Sequence, residues 1–561
     1  MRRTASVLVL AAVALLLGAP KHLASQSLLD HRELAADQQV IHALNRLTFG
    51  ARPGDVARVR EIGLDKWVDL QLHPERIHDS DVERFLSRYS VLKADQNEML
   101  RAYAGAQRDR RMAAERRDTV ERRTRRSAPA AMQDAATSRR AVINQVQSAR
   151  VARAVAGNRQ LQEVMTDFWL NHFNVFAHKG PPQPYYLIEY ERDVIRPNSL
   201  GKFRDLLGAV AASEAMLFYL DNARSMGDTS RPRLATVNRR RARALPAEQL
   251  GRLRQGGLNE NYGRELLELH TLGVDGGYTQ QDVIDVARAL TGWTIRPPAT
   301  GGGFVFRPEM HDAGEKTVLG RKLRSGRGIE DGQEVLDIVA RHPSTARYIA
   351  RKLAIRFVMD SPPQALVDRA AQVFLRTDGD IREVVRTIVT SNEFYSTAAY
   401  RSKVKSPFEV VVSALRAMNA VPDETPRTAQ AIALLGQPVY GHQAPNGYPE
   451  TGEAWMNAGA ILNRINFGIA AASNRIPGAD VNAIPGLTGL SGAPREKQVH
   501  AVSSLLLGGS ISPETRAVLI SGENPLLTRT DEGTMGRRQN QLTGIAQVVG
   551  LALGSPEFQR R

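Results

Sequence analysis

The sequence predicts an all-α, helix-dominated fold with one small β-hairpin near 304–320, and three observations carry that expectation. Apolar residues recur at helical spacing along the chain, helix starts carry caps, and strand-like runs are few. After His342-Pro343, the residues Ala346, Ile349, Leu353 and Phe357 share one stripe, the buried face of an amphipathic helix over 344–357. Thr279 and Asp282 have capping-box spacing ahead of Val283, Val286, Ala287 and Leu290, with Gly292 placed to end that helix. Asp380 with Glu383, and Ser512 before Pro513 and Glu514, mark two further starts. The strand candidates are Phe304-Val305-Phe306 and Thr317-Val318-Leu319. A polar turn containing Asp312-Ala313-Gly314 lies between them and predicts that they pair with each other.

A chain of 561 residues, 42% hydrophobic, exceeds what one core usually organises, so two lobes or a large domain with insertions are expected. Residues 1–25 read as a signal peptide: Met1-Arg2-Arg3, an apolar run from Val7 to Leu17, then small or polar residues. That run falls short of the roughly 20 residues that span a bilayer. No later segment is long and apolar enough either, so no transmembrane anchor is expected, and the localisation reads as exported, periplasmic or secreted. The main helical domain is placed at 26–475. Pro- and Gly-rich connections at 437–452 and 476–494 suggest a C-terminal helical unit over 476–561 that continues it. Cysteine is absent, which excludes disulfides and thiolate metal sites.

The net charge of +16 raises the question of nucleic acid, and its distribution answers it. Residues 104–150 hold 12 Arg against 5 acids, and residues 223–257 hold 9 Arg against 2 acids, which accounts for 14 of the 16 charges. Neither stretch interleaves the aromatics of a base-stacking platform, so both read as solvated Arg-rich insertions and a nucleic-acid partner is disfavoured. Lacking a sustained apolar stripe, they are expected to be dispensable for folding.

No G-x-S-x-G elbow, H-E-x-x-H helix, Walker loop or EF-hand loop occurs, so any chemistry must rest on residues assembled in space. In the 161–174 segment, a helix places Leu161, Met165, Phe168 and His172 on one stripe beside Trp169, and Asp167, Asn171 and Asn174 on a polar one. His172 there is either a hydrogen-bonded core residue or a base. In the 259–270 segment, Glu265 and Glu268 lie one turn apart with His270 nearby. That set suits acid/base work or a divalent cation, while Glu260, Arg264 and Glu268 equally fit exposed ion pairs. The turn His311-Asp312 with Lys316 gathers three titratable groups. A polar-aromatic loop from Asn446 to Trp455 suits binding better than catalysis.

In order along the chain, the stretches 42–50, 167–176 and 259–293, the His311-Asp312 turn with Lys316-Thr317-Val318-Leu319-Gly320, and the region 436–467 resemble the domain-of-unknown-function 1800 family. The resemblance implies an exported bacterial protein. It also implies a partner resembling the domain-of-unknown-function 1501 family, whose members are similar to sulfatases and alkaline phosphatases. It carries over no active-site residue. The 223–257 stretch looks like an insertion in the family pattern, because it separates Tyr219-Leu220-Asp221-Asn222 from Asn259-Glu260-Asn261.

Two functions follow as expectations. One is a cell-envelope accessory or binding protein acting with that sulfatase-like partner. The other is a hydrolase built from His172, Glu265, Glu268, His270, His311 and Asp312, with a divalent metal as the cofactor those oxygen and imidazole donors would suit. Burial of polar groups beside bulky apolar ones predicts that the three segments meet around one cavity.

Overall fold

A computed structural model describes residues 32–119, 130–227, 257–524 and 542–561. The helical stripes and caps form where their chemistry dictates. Helix 343–357 buries Ala346, Ile349, Leu353 and Phe357 completely, and His342 caps it by accepting from Ser344 N. Thr279 and Asp282 close a reciprocal capping box on Gln280–Ala289, and Gly292 follows that helix with φ +82°. Asp380 caps Ile381–Val389 and Ser512 caps Pro513–Ser521, each accepting from the N–H three residues on.

Among the described residues strands form two small antiparallel pairs, and the expected pairing of 304–306 with 317–319 does not occur. Instead β1 (Trp293–Ile295) pairs with β2 (Phe304–Phe306), and β3 (Lys316–Val318) pairs with β4 (Arg321–Leu323). Local closure wins in both, through two residues between β3 and β4 and eight between β1 and β2. Leu319 and Gly320, both at positive φ, make the two-residue turn that β3 and β4 require. The run Gly301-Gly302-Gly303, also at positive φ, brings β2 back beside β1.

One buried apolar cluster runs from Leu34 to Phe558, and helices Ala458–Ala472 and Gly544–Leu553 pack into it. The five elements that frame the site are α1 (Ala130–Ala156), α2 (Gln160–His172), α3 (Glu260–Glu265), α4 (Pro343–Phe357) and α5 (Pro407–Ala417). The Arg-rich stretch 104–150 is not a plain excursion. Its end belongs to α1, where Val142, Val146 and Ala149 are buried and Arg150 turns inward. Most of the second stretch, 228–256, and the expected signal segment lie outside the described residues, as do 120–129 within the first. No helix among the described residues is long and apolar enough to cross a membrane.

Candidate functional site

Helix α2 has two working faces. On the first, His172 is buried with Phe168, Trp169 and Phe173 around its ring. Its Nε2 lies 3.1 Å from the His270 carbonyl and its Nδ1 lies 3.0 Å from Lys352 Nζ. A carbonyl only accepts, so Nε2 carries the proton and Nδ1 receives the lysine N–H. Burial first, then Lys352, pushes His172 well below the ordinary histidine range; the same two causes bring His270 down to about 3. Both imidazoles are therefore neutral near pH 7. His270 stands on a π-helical turn, Leu266–Thr271, that continues α3, and among the described residues its two ring nitrogens have no hydrogen-bond partner. Burial also lowers Lys352.

The expected carboxylates flank this cluster without entering it. Glu268 accepts from the Tyr278 hydroxyl at 3.1 Å, while Glu265 is half-buried and raised by burial and by Glu268. Of the two expected ion pairs, Arg264 makes only the one with Glu260, at 3.6 Å. Two of the three predicted segments thus meet, at His172 and His270. The third does not join them: among the described residues the 311–312 turn shares no hydrogen bond, ion pair or ring contact with either histidine. His311 Nδ1 donates to Thr291 O at 2.8 Å, with Nε2 facing Asp331 at 3.4 Å. Asp312 points the other way to Arg288 at 2.9 Å, and these bonds hold its carboxyl below the usual range although burial opposes them. Lys316, fully buried, bonds Asp331 at 2.7 Å. His311 and Asp312 are therefore each occupied by a structural partner. No group of three or more metal-type side chains is placed to hold an ion among the described residues.

The second face of α2 lines a cleft of about 550 Å³, including its open mouth, together with α1, α4, the start of α5 and the loops 437–440 and 448–450. None of the six predicted residues lines it. Arg150 reaches Asp167 at 2.5 Å, and its guanidinium lies over Tyr440 at 5.1 Å and Phe408 at 5.2 Å. Arg356, 4% exposed, faces three carboxylates: Asp167 at 3.4 Å, Glu409 at 3.2 Å and Glu450 at 3.9 Å. Glu409 also pairs with Arg561 at 3.0 Å and closes a capping box with Ser406 on α5. Burial pushes Glu409 up, but Arg561 and Arg356 overcome it and hold its carboxyl at about 2. Burial wins at Asp167, whose carboxyl is raised despite both arginines. Behind the cleft, Tyr440 donates to Glu191, which sits on a second π-helical turn, Tyr190–Ile195.

The polar residues Asn171 and Asn174 hold the loop that rims the cleft. Asn171 donates to Tyr448 O and to Glu450, both at 2.9 Å, and accepts from Tyr448 N at 2.7 Å; Asn174 donates to His442 O and Ala444 O. The loop comes so close that a Cβ at Gly447, whose φ is +72°, would lie 2.2 Å from Asn171 O. Its aromatic side chains gather around Tyr448, which lines the cleft, with the Tyr448 ring 4.6 Å from His442 and 6.0 Å from Trp455. Sequence reasoning singled out this loop and the polar face of α2. It missed Arg150, Arg356, Glu409, Tyr440 and Arg561. A signal existed for two of them: Arg356 falls seven residues after Ile349 on a buried stripe, and Ser406-Pro407-Phe408-Glu409 spells a capping box.

The fold and cleft define a helix-dominated protein with a pre-paired polar site and a neutral histidine cluster behind it. The chain belongs to the family described as protein of unknown function DUF1800, whose model matches residues 42–560. No curated protein and no solved structure matches it.

Proposed function

We propose that this is an exported accessory or binding protein of the cell envelope, acting with a sulfatase-like partner, and that the α2 cleft holds its ligand. One observation carries the binding reading. The arginines and carboxylates of the cleft are already paired with one another, which makes a rigid recognition surface, and none of the six candidate catalytic residues lines it. The resemblance to an exported family and the leader-like pattern of residues 1–25 support export. Co-purification of the full chain from envelope extracts tests the partnership. A single dominant partner is expected, and repeated recovery of the chain alone would overturn it.

The second reading, a carboxylate/histidine hydrolase, is favoured by the contact of His172 with Lys352 beside His270. Its metal-assisted form is tested by elemental analysis of chain purified without chelator. Its acid/base form requires that His172→Gln abolish turnover.

A further inference from the structure

The cleft also restricts what its ligand can be, granted the binding reading above. Each charge that lines it has an internal counter-charge: Arg150 with Asp167, and Arg356 with Asp167, Glu409 and Glu450. An incoming anion would compete with carboxylates for these guanidiniums, and an incoming cation with guanidiniums for the carboxylates. Neither brings a net gain in charge pairing. Beside these balanced charges, two uncharged side chains of the lining keep hydrogen-bonding capacity. Gln437 Oε1 accepts from Phe408 N at 2.9 Å and Ser406 Oγ accepts from Glu409 N at 3.3 Å, while among the described residues the Gln437 NH₂ and the Ser406 O–H have no partner. The amide donates and the hydroxyl can both donate and accept, as the hydroxyl groups of a ligand require.

Tyr448, on the lining, and Trp455 beside it add an aromatic wall. Trp455 is tied by Nε1 to Pro449 O at 3.1 Å, and Tyr448 by its hydroxyl to Pro438 O at 2.9 Å, so both rings are held while remaining only partly buried. Held aromatic faces beside neutral amide and hydroxyl groups match a sugar ring, whose C–H face stacks on the aromatic and whose hydroxyls meet the polar groups. A peptide finds less here, since helices and loops line the cleft and no strand edge is offered for it to extend.

We propose that the cleft binds a neutral saccharide, with one ring stacked in the Tyr448–Trp455 mouth and its hydroxyl edge directed to Gln437 and Ser406. The inner cleft is narrow, so the ring lies in the mouth and the rest of the glycan runs outward.

The test is calorimetric titration of the full chain with neutral hexasaccharides of glucose, N-acetylglucosamine, mannose and galactose, and with a uronate hexasaccharide as the charged comparison. One neutral class should bind with an affinity unchanged between low and high salt. Trp455→Ala and Gln437→Ala, both partly exposed positions, should each weaken it by at least about tenfold. Far-UV circular dichroism checks that each variant is folded. Absence of binding across the neutral panel, or tighter binding of the uronate that fades with salt, overturns the proposal. A chain that binds no saccharide yet still recovers its partner from envelope extracts would sink this inference and leave the accessory reading standing.

Discussion

Replacing Arg356 by Met removes the cation that three carboxylates share. The side chain is buried, so the methionine fills similar space and the change isolates the charge. Asp167 keeps Arg150 at 2.5 Å and Glu409 keeps Arg561 at 3.0 Å, so neither becomes wholly unpaired. Glu450 keeps its bond from Asn171 and some contact with water. Breaking a buried pair from one side costs about 3–5 kcal/mol, and the surviving partners place this case near the lower end, about 3 kcal/mol. Urea unfolding followed by circular dichroism reads it as a fall in midpoint at unchanged slope. Adding Glu409→Gln to Arg356→Met should recover part of the loss, because the carboxylate left with one partner is neutralised. A loss below about 1 kcal/mol, or a double variant less stable than the sum of the two singles, would refute the idea that Arg356 is the hub of a buried network.

Three further outcomes follow from the same geometry. Gly447→Ala should cost about 1–3 kcal/mol and loosen the rim, measured by denaturant unfolding, because a left-handed φ and a backbone contact both oppose a Cβ. Asn171→Leu removes three hydrogen bonds to the loop and should expose 442–450 to limited proteolysis with little change in overall helicity. Stability should fall as pH drops from about 6.5 to about 3 through His270, and from about 4.5 to about 2 through Glu409. In each window the unfolded chain takes up the proton first and the folded chain resists it. His270→Leu and Glu409→Gln should each flatten their own window in a plot of urea midpoint against pH.

What the sequence disclosed and what it hid have physical causes. Helix 343–357 and the caps at Thr279, Asp380 and Ser512 were legible because they depend on residues three or four apart. The strand segments 304–306 and 317–319 were legible too, but not their partners. β1 and β4 are three residues long, and a turn such as Leu319-Gly320 shows itself only in its backbone angles. The meeting of His172 with His270 was legible only as an argument from polar burial, and the same argument failed for His311 and Asp312. There Thr291 takes the Nδ1 proton of His311 and Arg288 pairs with Asp312 locally. Arg150 was read as solvated because it ends an Arg-rich stretch. Its true neighbours, Asp167, Phe408 and Tyr440, come from three distant segments. The π-helical turns under His270 and Glu191 follow from no spacing in the sequence, and both place a titratable side chain beside the site.

The central claim is that the functional surface is the cleft rimmed by 442–455 and not the histidine cluster behind it. Amide hydrogen exchange of the full chain, alone and then bound to the material it recovers from envelope extracts, tests this most directly. New protection is expected across 442–455 and the 437–440 wall, with Leu266–Thr271 unchanged. Protection that appears at Leu266–Thr271 and leaves 442–455 as it was would contradict it.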